Sequence, residues 1–438
     1  IHEFPIYSFV VSDLHGHVLD IPFVLLTIAL FYSIFLARKI TYKLTLLVSF
    51  LLSIMYMTNA WDGIIYLGLF SLCVLAIKYS ILKRKNLKTT TKFSIPFLRG
   101  LQHKKRYIFD SLKHIALAGL GYFIFTLPFN LNFSPFVSGI GVICAPEFLI
   151  KIGTIGPLLF EADHCQKTPL WMFFILYGFF YLFAITLVIK IGRLKKLSET
   201  HMFLLILIFF ASILIIAPEF IYAKDIYPQH YRANTVFKLG YQAYIMLSLV
   251  SSFSITYILH HGRRLLWIPL IFILLVLNLS YSYFAINSYF DNLKTYKTLD
   301  GIGYLKTLYP DDYDAILWIQ KNIKGSPIIL ESQGDSYTDH GRISANTGLP
   351  TVLGWTVHEW LWRGSYDVPQ KRVDDVRALY EDDIQKTKSL IQKYKIEFAF
   401  IGSLERTKYV NLNEEKFGAL GKIIYHSGQT KIYKINAI

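Results

Sequence analysis

Apolar runs of membrane-spanning length recur through the first two thirds of the chain and stop near residue 287. About twenty apolar residues are needed to cross the hydrocarbon core. Inside it a segment must satisfy its own backbone hydrogen bonds, so each run is expected to be a helix. Eight candidate spans result, at 21–37, 44–58, 63–79, 112–128, 168–190, 202–217, 234–258 and 265–287. The 34 Phe and 30 Tyr are too many for an ordinary soluble chain of 438 residues, in keeping with a polytopic α-helical membrane protein.

A net charge of +15 would suit nucleic acid if it were spread over one face. Instead it alternates with the spans. The connections at 38–43, 78–113, 190–201 and 259–264 hold 20 Lys and Arg, diluted only by Asp110 and Glu199. The opposite segments 1–20, 128–168 and 218–240 hold five. That asymmetry is the positive-inside pattern. It predicts cytoplasmic basic loops, an outer N-terminal segment and an outer C-terminal portion, with no nucleic-acid partner. The run "KYSILKRKNLKTTTKFS" also suits anionic lipid headgroups. An outward start at Ile1 is most simply read as the loss of at least one upstream span. Cys73 lies inside a span, whereas Cys144 and Cys165 fall on the outer side, where a pair can form but nothing in the sequence requires one.

Composition changes near residue 290. Residues 1–289 read as the helical membrane domain, and 290–438 as an extracytoplasmic α/β domain with 20 basic and 19 acidic residues. In the second, "DDYDAILWIQKNIKG" has the acidic start, helical apolar spacing and Gly stop of a helix. "SPIILES" and "EFAFIG" read as strands, the stretch between them as one or two helices after a Trp-rich loop, and "KIIYHSGQTKIYKI" as two strands around a Ser-Gly turn.

Four stretches can carry chemistry. In "DLHGH", Asp13, His15 and His17 alternate, so an extended backbone puts all three on one face. They suit a divalent metal such as Mg or Mn, or a general base with its orienting partner, and Glu3 lies ten residues earlier. The alternative is a solvated polar collar at the membrane boundary. In "TNAWDGIIY", Asn59 and Asp62 sit at an outer hairpin, where Asp62 binds substrate or merely solvates the turn. In the third stretch, Arg232 and Lys238 stand at the outer start of a span, where a lipid-linked phosphate is a natural partner. Snorkelling to headgroups, or balance by Glu219, would account for them equally. The fourth, "GRISANTGLPTVLGWTVHEWLWRG", offers aromatic faces for a sugar-like ligand, with Arg342, His358 and Arg363 for a charged group. It can also be an aromatic loop packed on the bilayer or the helices.

Together "HEFPIYSFVVSDLHGHVLDIPFVLL", "NAWDGIIY", "YRANTVFKLGYQAY", "GRISANTGLPTVLGWTVHEWLWRG" and "IGSLERTKY" resemble, in order, the YYY family of bacterial and archaeal membrane proteins. That family is in turn similar to the GT-C superfamily of membrane glycosyltransferases. The resemblance implies an essential acid in the first outer loop, here Glu3 or Asp13, and a sugar donor carried on a polyprenyl phosphate or diphosphate. It implies that Arg232 and Lys238 contact the carrier phosphate and that His358 and Arg363 close over it. The implied acceptor is a glycan, lipid or protein in the cell envelope, with membrane lipid as a further partner. Inverting glycosyl transfer at the outer face is the leading expectation. The alternatives are a transporter or flippase for a lipid-linked or small anionic substrate, and a non-catalytic envelope assembly protein.

Overall fold

The computed structural model describes residues 4–11, 14–88, 96–133, 137–194, 196–224, 230–261, 264–294 and 300–436. The chain divides into two compact units, one made mostly of residues up to 295 and one running from Tyr296 to the C-terminus.

The first unit is helical. Its long helices are α1 (Ile21–Ala37), α2 (Tyr42–Thr58), α3 (Ala60–Lys88), α4 (Pro96–Asn130), α5 (Leu170–Gly192), α6 (Glu199–Ile216), α7 (Ala233–His261) and α8 (Arg264–Tyr289). Among the described residues six of these, α3 to α8, are long and apolar enough to cross a membrane. The other two of the expected eight, α1 and α2, are apolar helices of 17 residues each. The expected basic connection 78–113 is also mostly helix, because α3 runs on to Lys88 and α4 begins at Pro96. Periodicity in that stretch is hidden by its Lys and Arg.

Local chemistry fixes the helix starts. Thr41 accepts the Leu44 N–H ahead of α2, and Ser198 with His201 makes a capping box ahead of α6. A core of Phe31, Met55, Tyr66, Leu69, Phe70, Tyr177, Leu207, Tyr241 and Met246 locks α1, α2, α3, α5, α6 and α7 together. By contrast α8 buries only Ile271 and Ala285 and leaves Leu266, Phe272, Leu277 and Phe284 exposed, the pattern of a helix facing lipid. Small residues let the helices approach closely. A Cβ on Gly63 would lie 2.8 Å from both the Tyr122 ring and Tyr56 Cβ.

The stretches between α4 and α5 and after α6, expected as loops, form a small sheet. β1 (Gly139–Val142) pairs in parallel with β3 (Leu158–Leu159) and antiparallel with β4 (Ile221–Lys224), while β2 (Thr154–Ile155) pairs with β3. Strands of two to four residues carry too little alternation to be read from sequence. Cys144, just after β1, and Cys165, after β3, are joined by a disulfide, with Cα atoms 4.3 Å apart.

The second unit is α/β. β5 (Ile328–Leu330) runs parallel to β6 (Ile396–Ile401), and β8 (Thr430–Ile435) pairs antiparallel with β6 and with β7 (Gly421–Ser427). Its helices include α9 (Pro310–Asn322), α10 (Arg342–Thr347), α11 (Thr356–Arg363), α12 (Asp367–Glu381), α13 (Ile384–Tyr394) and α14 (Ser403–Lys408). Two bridges, Ile329 to Thr351 and Gly334 to Trp355, add a third parallel segment beside β5.

Candidate functional site in the helical unit

The segment ahead of α1 folds back onto the α2–α3 junction. Two short helical turns, Pro5–Val10 and Gly16–Leu19, carry it. Gly16 makes the approach feasible, because a Cβ there would fall 2.0 Å from the Thr58 carbonyl oxygen. His17 and Asp20 are thereby buried beside the residues that open α3.

Asp62 stands in the first turn of α3 and is fully buried, so it does not solvate a hairpin. Asn59, the single residue between α2 and α3, donates from Nδ2 to Asp62 Oδ2 at 2.8 Å. From α7, Gln242 accepts the Tyr66 hydroxyl proton at 2.9 Å, which leaves its amide nitrogen for Asp62. Among the described residues no N–H or O–H reaches either Asp20 oxygen or Asp62 Oδ1. The two carboxyls instead face one another closely enough to hold a proton between them. Burial, then the hydrogen bond and charge of Asp62, pushes Asp20 up to about 9, so Asp20 keeps that proton at neutral pH.

Lys238, one turn from Gln242 on α7, directs its charge at Asp62 and at His17. Burial, then the charges of Lys238 and His15, pushes His17 down to about 3, which makes it a neutral imidazole. His17 Nε2 is 3.0 Å from the Ser8 hydroxyl, and the ring packs edge-on to Phe237 and Tyr241, with His15 at 5.6 Å. One site thus contains two carboxyls that share a proton, a cation, two amides and a neutral histidine. Such a set can take a proton from a hydroxyl and place positive charge beside a developing anion.

The residues read from sequence fall in three places. His15, His17, Asn59, Asp62 and Lys238 come together here. Arg232 does not join them. Its guanidinium forks onto Glu219, at 2.9 Å and 3.1 Å, and also binds the Thr168 hydroxyl and the Pro218 carbonyl. Arg342, His358 and Arg363 belong to the second unit. Arg342 is buried between Asp312 at 2.6 Å and Glu405 at 3.0 Å, His358 bonds the Ser336 hydroxyl, and Arg363 pairs with Glu359 one turn away. Glu3 and Asp13 lie outside the described residues. Among those described, no three His, Cys, Asp or Glu side chains form a metal-binding group.

Sequence reasoning passed over Asp20, Tyr66 and Gln242. For Asp20 a signal exists in "HVLDIPF", where an acid three residues after His17 stands just before a Pro-initiated helix. Gln242 falls one turn after Lys238, in reach of the same helix face.

No curated protein matches the chain. A family model described as an uncharacterized membrane protein, DUF2298, matches residues 1–200 and 181–247. With more than half of its length so matched, and the site residues from His15 to Gln242 all inside the matched region, the chain belongs to this uncharacterised membrane-protein family, the YYY family.

Proposed function

We propose that the protein is a membrane glycosyltransferase of GT-C type that takes a sugar from a polyprenyl-phosphate-linked donor at the outer face. The observation that carries this reading is the buried Asp20–Asp62 pair beside Lys238. The acceptor hydroxyl gives its proton to Asp62 Oδ1 as its oxygen bonds the anomeric carbon. The bond from that carbon to the phosphate oxygen breaks, and the departing phosphate takes up the negative charge beside Lys238. Asp20 and Asn59 hold Asp62 in place, and neutral His17 adds no competing charge.

A second reading, proton-coupled movement of a lipid-linked or small anionic substrate, draws on the proton held between Asp20 and Asp62. The test is reconstitution of the full chain in vesicles with a radiolabelled polyprenyl-phosphate sugar and extracted envelope acceptors. Asp62→Asn is expected to lower transfer by about 10²–10⁴-fold, and Asp20→Asn by less. Transfer untouched by Asp62→Asn would sink the reading. Uptake of label into the lumen without transfer, lost in the same variant, would favour the transporter.

A further inference from the structure

The second unit brings three parallel segments to one edge. The chain runs on from β5 through Glu331, Ser332 and Gln333 to Gly334, the 351–355 segment ends at Trp355, and β6 ends at Ile401, just before Gly402. Two of them turn directly into helices, α11 and α14, which is the geometry of open α/β sheets that bind ligands outside the carboxyl ends of their strands. Past these ends stands a wall of rings. Tyr337, Trp355 and His358 lie with centroids 5.3 Å to 5.5 Å apart. The wall is rigid, because Trp355 Nε1 donates to the His340 carbonyl at 2.8 Å and His358 Nδ1 meets the Ser336 hydroxyl at 2.6 Å. Tyr337 keeps a left-handed backbone, φ 63°, which is costly for a non-glycine residue, and its ring is 71% exposed.

Beneath the wall, buried polar groups bond one another and hold it in place. Ser332 bonds His340 Nδ1 at 3.0 Å and Glu405 at 2.7 Å, and Thr356 bonds Gln333 at 3.0 Å. Lys408 donates to the Gln333 carbonyl and faces Asp335, Arg377 and Glu405. Three cations of the region, Lys408, Arg377 and Arg342, lie among three carboxylates, Asp335, Glu405 and Asp312. That balance gives no surplus for a phosphate. The exposed carboxylate of Asp335 and the nearby Asp339 also disfavour an anionic bilayer surface, which selects basic patches. The exposed Tyr337 ring and the half-buried Trp355, beside the exposed Asp335 carboxylate, match the two faces of a sugar ring, its C–H plane and its hydroxyl edge.

We propose that this edge binds a neutral saccharide, which stacks on Tyr337 and Trp355 and gives hydroxyl protons to Asp335. The site is independent of the transfer chemistry assigned to the helical unit, and binding is expected whether or not that assignment holds. The test uses the full chain in nanodiscs and saturation-transfer NMR with neutral tetrasaccharides built on glucose, mannose, galactose or N-acetylglucosamine. At least one probe is expected to receive saturation. Tyr337→Ala should weaken it by about tenfold or more, and Tyr337→Phe should leave it intact. Because Tyr337 is exposed, unchanged thermal unfolding of Tyr337→Ala will separate lost binding from lost folding. Absence of any binding probe, or equal binding by Tyr337→Ala, would overturn the proposal. So would quenching of a fluorophore at Tyr337→Cys by nitroxide lipids, which would assign the rings to the bilayer.

Discussion

An ionised carboxylate at the buried start of an apolar helix is unfavourable by several kcal/mol unless donors or a shared proton hold it. Asp62 has such support from Asn59, Gln242 and Asp20. The second unit has a buried acid of the opposite kind. Burial raises Glu405, but the charge and hydrogen bonds of Arg342, with those of Ser332, outweigh it and hold the group at about 2. A depressed carboxyl stabilises the fold fully above its ordinary 4.5 and loses that stabilisation as pH falls toward 2. Asp312 and Glu331 are raised by burial and work in the other direction, so a difference between proteins isolates Glu405. Glu405→Gln is expected to cost about 3–5 kcal/mol at neutral pH and to flatten the acid response between those limits. Hydrogen exchange in β6 of the full chain measures both. Such pairings escaped the sequence because Arg342, Asp312 and Glu405 are far apart in the chain. Residue types show that a charge exists, whereas its partner is decided by the fold.

The elements were far more legible. Apolar length alone placed all eight helices, and the acidic start and Gly stop around "DDYDAILWIQKN" placed α9. The short strands β1 to β4 and the reach of α3 and α4 into basic sequence were not legible, because neither carries a clear period. The Gly16 contact was equally hidden, since a close approach leaves no pattern in one sequence. It has a sharp consequence for the element it seats. Gly16→Ala must push the opening segment off the Thr58 carbonyl and carry His17 and Asp20 away from Asp62. We expect protease cleavage near residues 12–18 to quicken and the activity of the Asp62 site to fall, while the Cys144–Cys165 sheet stays as resistant as before. Equal cleavage in both proteins would show that the backbone absorbs the clash.

For the whole molecule, the alternation of basic and poorly charged connections predicts an orientation with the basic connections on the cytoplasmic side. Single-cysteine probes test it. In right-side-out vesicles, a membrane-impermeant maleimide is expected to label Lys151→Cys but to reach Arg193→Cys only after the vesicles are opened. The reverse order would invert the orientation and move the acid pair to the cytoplasmic side. The two short helices add a mechanical consequence. At 17 residues each, α1 and α2 are about 26 Å long, less than the roughly 30 Å of an average hydrocarbon core. Asp20 precedes one and Asn59 ends the other, so where both helices cross the bilayer the acid pair is expected to stand at a locally thinned surface. Vesicles of long-chain lipid should therefore slow the protein relative to vesicles of short-chain lipid, with little change in Asp62→Asn. The pair would then stand at the bottom of a dimple in the membrane surface, a depression into which lipid headgroups sink as they diffuse past.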